Sequence, residues 1–316
     1  MTREPIELYQ DGYHRANRVG VMLMIITFFQ YGVPTVFLQI LRLCGVDPAA
    51  RSWGLPSPAY LLLYLTMYVL MMGAPMLLIS QYCMPKKRLH LSPLNLSVDR
   101  RIGVVLCGVA LCVLANVVAS LFSGILYAVG VPEPELLALG DGSILTLMMD
   151  LIVFAVVPAV MEEVLLRATV LQTLRPVGNG IAVTVSAVLF GLMHGNVAQT
   201  PYTLLMGLVL GAMFVYTDDL RLTVVIHALA NALSLISQYM LQYRERYTAL
   251  GWQFVMLSGV LVTGVAAFLW LWRHPLGRSR PTYDIPRRER YHAVLAAPLL
   301  WTATAVMLIL MIVWSV

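Results

Sequence analysis

Long apolar runs separated by short polar connections dominate this chain. Runs of membrane-spanning length or slightly less occur near residues 19–41, 59–82, 102–129, 151–174, 180–198, 202–217, 220–241, 251–272 and 293–315. A helix needs roughly 20 apolar residues to cross the hydrocarbon core of a bilayer. Most of the runs meet that length, and none shows the strict alternation of a barrel strand. The pattern predicts an all-α fold, a polytopic transmembrane bundle of eight or nine helices. It is read as one membrane domain over residues 1–316, with flanking helices in 19–130 and 251–315 around a core at about 150–235. The segment 142–150 is also apolar and is able to extend the fourth helix, whereas the run at 202–217 is short enough to tilt or re-enter.

Composition agrees with this reading. Of the 316 residues, 59% are hydrophobic and only 12% charged, about half the charge of a soluble domain. The polar first 18 residues followed by a long apolar run do not make a cleavable signal. The cysteines Cys44, Cys83, Cys107 and Cys112 lack metal-ligand spacing and read as small hydrophobes. A net charge of +5 raises nucleic acid as a partner, but the basic residues flank membrane spans. Only four of the 21 Lys and Arg (Arg42, Arg51, Arg244 and Arg246) fall on the side opposite the N-terminus. By the positive-inside rule the N-terminus is cytoplasmic. The connection at 130–141 carries Glu133, Glu135 and Asp141 without a basic residue, and the basic, proline-containing stretch 273–290 suits anionic headgroups. The partners expected are membrane lipids and a hydrophobic peptide, with no nucleic acid. Compact loops favour a bacterial cytoplasmic membrane.

Ionisable side chains inside spans change the picture from architecture to chemistry. Each costs at least ~2.5–3.5 kcal/mol at the bilayer centre, so its default reading is functional. The acids concerned are Asp150, Glu162 and Glu163, and the histidines are His194 and His227; His14, His90, His274 and His292 lie in polar or basic segments. Glu163 and Arg167 are four apart and share a helix face, where they can neutralise each other. Glu162 points about 100° away from Glu163 without a local partner. Pro158 lies one turn upstream and is expected to kink the helix. Gly191 and Gly195 flank His194 at a spacing that admits a close neighbouring helix. His227 and Asn231 share one face of the seventh helix. A carboxylate, two imidazoles and an amide are the parts of a hydrolytic site: a base, a place for water, and donors for a developing oxyanion.

Depth decides whether these groups can meet. With the fourth helix spanning 151–174, Glu162 lies ~19 Å from Arg175, His194 ~21 Å from Gly180 and Asn231 ~16 Å from Leu220, at 1.5 Å per residue. All then reach mid-membrane, and Asp150 falls at the outer interface. A helix beginning at residue 143 is expected to keep Glu162 and His194 apart.

The same residues carry a family pattern. Glu162-Glu163-Val-Leu-Leu-Arg167, Phe190-Gly-Leu-Met-His194 and His227-Ala-Leu-Ala-Asn231 occur in that order on successive apolar runs. In this the chain resembles the CPBP intramembrane proteases, the CAAX-protease and bacteriocin-processing family that includes the prenyl-protein endopeptidases. The resemblance covers roughly residues 150–235. It implies that Glu162 and His194 activate a water for attack on a peptide carbonyl, that His227 and Asn231 stabilise the oxyanion, and that Glu163, Arg167 and Phe190 support the site. It also implies membrane-associated substrates, prenylated or carrying a leader peptide. The family is described in addition as metalloproteases, with zinc held by Glu162, His194 and His227. The chain lacks the helical His-Glu-x-x-His motif of ordinary zinc proteases, and its residues leave metal-bound and carboxylate-held water both open, with a slight lean to the second. The competing class is a non-proteolytic transporter or immunity protein that uses the buried charges as a proton or ion path; it would often show repeated or broken helices in two halves, which the sequence does not.

Overall fold

A computed structural model describes residues 4–83, 96–128, 130, 139, 141–274 and 283–315. The basic residues Lys86, Lys87 and Arg88, the acids Glu133 and Glu135, and residues 275–282 of the 273–290 stretch lie outside the described residues. Ten helices are described: α1 (Pro5–Leu43), α2 (Ser57–Leu78), α3 (Val98–Ala128), α4 (Ile144–Leu174), α5 (Asn179–Met193), α6 (Thr200–Thr217), α7 (Leu220–Tyr243), α8 (Arg246–Arg273), α9 (Arg287–Leu295) and α10 (Pro298–Ser315). No strand occurs among the described residues. Seven of the helices are long and apolar enough to cross a membrane, and α9 with α10, bent by 58°, makes an eighth. At 15 residues α5 is shorter. The protein is a multi-pass helical bundle.

Each apolar run of the sequence corresponds to a helix, and the ends differ for identifiable reasons. Helix α1 starts at Pro5 rather than near residue 19. Its polar first turns have tertiary partners: Tyr9 Oη meets His292 Nδ1 at 2.8 Å, and the Arg15 guanidinium reaches Tyr283 Oη and the Thr173 carbonyl. Helix α4 starts at Ile144 rather than 151, because the Ser143 hydroxyl accepts the Thr146 amide as an N-cap. Helix α5 ends at Met193, since Gly195 takes a left-handed conformation (φ +62°) that stops a helix. Between α6 and α7 there are only two residues: Asp218 is left-handed, and the Asp219 side chain caps α7 by accepting from the Arg221 amide.

Helix α4 runs through the middle of the core. Leu165, Leu166, Val170, Leu171 and Leu174 on it are fully buried, alongside Val19, Met22 and Leu23 of α1. Small residues set several contacts. A Cβ on Gly207 of α6 would come within 2.9 Å of the Ala187 backbone on α5, and one on Gly20 of α1 would fall 2.3 Å from the Leu299 backbone on α10. Outward faces keep large apolar groups such as Phe28, Leu121, Phe254 and Trp272 exposed, as lipid contact requires.

Candidate active site

The centre of the site lies on α4, whose winding is irregular. Six residues (Leu151–Val156) and then eight (Val164–Leu171) wind as π-helix around a short α-helical stretch, Val157–Glu163. Pro158 has no N–H to donate, and the wider turn just before it accommodates that loss. Both glutamates end the α-helical stretch, at the junction with the second π segment. They therefore project where the ladder changes pitch, a setting common at functional sites.

Glu163 is fully buried. Its Oε1 accepts from His227 Nδ1 at 3.1 Å, and its Oε2 lies 3.3 Å from Arg167 Nε. Arg167, also fully buried, donates from Nη1 to the Ser186 hydroxyl at 3.1 Å and lies over the Phe190 ring at 5.2 Å. The i, i+4 pair read from the sequence is present, and it extends across three helices to α5 and α7. Two buried charges in lipid need this kind of mutual compensation.

Glu162 is 7% exposed. Tyr68 Oη on α2 donates to its Oε1 at 2.6 Å, a short bond of the kind a carboxylate receives. Its Oε2 lies 3.7 Å from His227 Nε2. One imidazole thus bridges the two glutamates: Nδ1 faces Glu163 and Nε2 faces Glu162.

His194 caps the C-terminus of α5 and is half-buried. Its Nδ1 lies 2.8 Å from the Phe190 carbonyl oxygen. An oxygen acceptor there puts the proton on Nδ1 and leaves the Nε2 lone pair as a base. The turn is braced by α1, where Gln30 donates to the Met193 carbonyl. Phe190 ties the two imidazoles together, with its ring edge-on to His194 at 4.9 Å and to His227 at 5.6 Å between centroids. Asn231 is half-buried, one turn beyond His227 on α7.

Tertiary structure therefore brings Glu162, Glu163, Arg167, Phe190, His194 and His227 into one contact network. Three expectations need correction. Helix α4 starts at Ile144 rather than 151, and Glu162 on it still meets His227 of α7. Its depth is counted from the other end, at Leu174, and 31 residues span ~46 Å, well beyond a ~30 Å core. Asp150, expected where its charge costs little, is fully buried among protein groups two turns into α4. Gly195 lies beyond α5, which it terminates, rather than on its face; it sits against Tyr31 of α1, while Gly191 meets α6 at Thr200 and Leu204. The sequence reading also missed Tyr68, Ser186 and Thr223, the last two completely buried. For Tyr68 a signal existed: it lies mid-span on α2, where interface tyrosines do not belong.

Zinc requires three convergent protein donors plus water. Among the described residues no group of three His, Cys, Asp or Glu side chains is placed to hold a metal ion. Glu162 and His227 approach each other, but the His194 ring is hydrogen-bonded to the Phe190 carbonyl. Glu162, His194 and His227 do not form a zinc cradle.

Neither a curated protein nor a solved structure matches the chain. A family model described as type II CAAX prenyl endopeptidase, Rce1-like, matches residues 144–233, which run from the first residue of α4 into α7 just beyond Asn231. That segment contains all three motifs, and over it the chain is similar to this family.

Proposed function

We propose that the protein is an intramembrane endopeptidase that hydrolyses peptide bonds of membrane-associated substrates with a water held by Glu162 and His194. The observation that carries this reading is the placement of Glu162. It is a buried carboxylate fixed on one oxygen by Tyr68 and facing an imidazole with the other.

In the proposed cycle the water is deprotonated toward Glu162, assisted by the Nε2 lone pair of His194, as its oxygen bonds to the carbonyl carbon. The oxyanion receives hydrogen bonds from His227 Nε2–H and the Asn231 amide. For that His227 must carry both protons, and Glu163 on its Nδ1 side supports the imidazolium. Collapse breaks the C–N bond, the acquired proton passes to the leaving amine, and a carboxylate and an amine depart. Arg167 and Ser186 hold Glu163, and Tyr68 fixes the rotamer of Glu162; these are positioning residues. Metal is not required for this sequence of events. The substrates that suit it are prenylated proteins or leader-bearing peptides delivered from the bilayer. The positive-inside bias places the N-terminus in the cytoplasm, of a bacterial cell in this reading.

The test is hydrolysis of a fluorogenic farnesyl-cysteine peptide and of a hydrophobic leader peptide by purified protein. Glu162→Ala and His194→Ala should each lower kcat by at least roughly 100-fold, the upper part of what one general base supplies. Wild-type rates in both variants would end the proposal.

A further inference from the structure

A large cavity lies away from the glutamates. It is a cleft of about 1360 Å3 between α3, α7 and α8, overhung by the turn around Arg51–Gly54. Its shape follows from how α8 meets α3. At one end glycines bring the helices together: a Cβ on Gly264 would fall 2.0 Å from that of Ala110, and Gly103 lies against the Trp270 ring. At the other end a Cβ on Gly124 of α3, or on Gly251 or Gly259 of α8, would meet nothing within 4 Å, and the cleft opens beside Asn116, Ser120 and Gln253.

The lining is unlike its surroundings. Asn116, Ser120, Ser234, Ser237, Gln242 and Gln253 are polar side chains on membrane-spanning helices, all facing the same space. Ser120 donates to the Asn116 carbonyl, Gln242 to Tyr243 Oη and Gln253 to the Ser237 carbonyl, which uses only part of the capacity of these groups; intramembrane polar groups normally face a partner or a water-filled cavity. Among the described residues no acidic side chain and no lysine lines the cleft, and the one cation there, Arg51, stands at the mouth. On α7 the polar positions form a track. His227, Asn231, Ser234, Gln238 and Gln242 follow at intervals of four, three, four and four. Over about four turns that track drifts by only about 60° around the helix. One face thus stays hydrophilic from the mouth of the cleft to the imidazole that bridges Glu162 and Glu163.

We infer that this cleft is a peptide-binding groove: it takes an extended, uncharged polar segment of the substrate and leads the scissile bond down the α7 track to His227. Amide and hydroxyl side chains can both donate and accept, which is what an extended backbone with unpaired N–H and C=O groups demands of a wall inside a membrane. Its volume exceeds the ~300–1,000 Å3 usual for small-molecule pockets. Arg51 favours an anionic group at the outer end of the bound segment. The inference rests on the protease reading for the identity of the ligand, and its test separates the two.

Two measurements on the full-length protein decide it. In a background without the four native cysteines, Gln238→Cys is treated with a charged, membrane-impermeant methanethiosulfonate reagent. The assay is repeated with Glu162→Gln added and the farnesyl-cysteine peptide, extended by a Gln- and Ser-rich segment, in excess. Rapid labelling that the peptide suppresses is expected. Separately, Gln238→Leu with Gln253→Leu should raise KM for the extended peptide about tenfold while kcat changes little, as loss of two hydrogen bonds predicts. No labelling would make the cleft a lipid-filled gap and overturn the inference. Labelling without protection, with KM unchanged, would leave only a water path and overturn it while the protease reading stands. Labelling and protection without cleavage by the wild type would support the groove and sink the protease reading.

Discussion

Tyr68 donates its hydroxyl to Glu162 at 2.6 Å from a helix that lies outside the family-matched segment. The carboxylate proposed to take the proton from water is thereby held by the flanking part of the bundle. A hydrogen bond to a charged group contributes roughly 1.5–3 kcal/mol.

Removing that hydroxyl while keeping the ring isolates its role. Tyr68→Phe is expected to lower kcat about 10- to 100-fold with KM little changed, given the bond's strength. Steady-state kinetics of the wild type and the variant checks the split between kcat and KM. A loss of melting temperature with unchanged kcat in the folded fraction would mark Tyr68 as structural only.

The two arginine–aspartate or glutamate pairs on α4 and α7 should differ sharply in worth. Arg167 and Glu163 are completely buried, so Arg167→Met strands a carboxylate and should cost about 3–5 kcal/mol. Arg221, 70% exposed beside Asp219, should lower stability far less when changed to Ala, since solvent screens the pair. Thermal unfolding in one detergent compares them. Equal shifts would contradict the burial argument.

Gly195 holds the turn that carries His194, at φ +62° and with its Cβ position 3.3 Å from Tyr31 Oη. Gly195→Val should reduce kcat through a displaced imidazole, whereas Gly195→Asn, which tolerates the left-handed region, should keep much more of it. Indistinguishable rates would show that the turn does not position His194.

Metal independence is expected from the donor geometry. Activity should survive prolonged treatment with 1,10-phenanthroline, and purified protein should hold well under one zinc per chain by elemental analysis. Loss on chelation with recovery on adding Zn2+ would replace the carboxylate-held water with a metal-bound one.

Gly264 sets the closed end of the cleft. Gly264→Ala would drive its methyl into Ala110, and two packed backbones leave no flexible group to yield. The expected result is a lower melting temperature, rescued in part by Ala110→Gly. Additive destabilisation in the double variant would dissociate the two positions.

Much of this molecule is written in local pattern. Apolar runs mark the helices, since crossing lipid obliges every backbone group to bond within its own segment, and charges stand out because they are costly there. Glu163 with Arg167 was legible for the same reason: four residues along a helix is a spatial contact. Helix ends were less so, since Ser143, Gly195 and the partners of Arg15 act over one turn or from distant segments. Three facts belong to tertiary structure alone. Tyr68 reaches Glu162 across 94 positions in sequence; His227 stands between both glutamates; and a polar track opens into a cleft where α8 leaves α3. Pairings between helices depend on how side chains interdigitate across crossing axes, and a one-dimensional pattern holds no record of which faces meet.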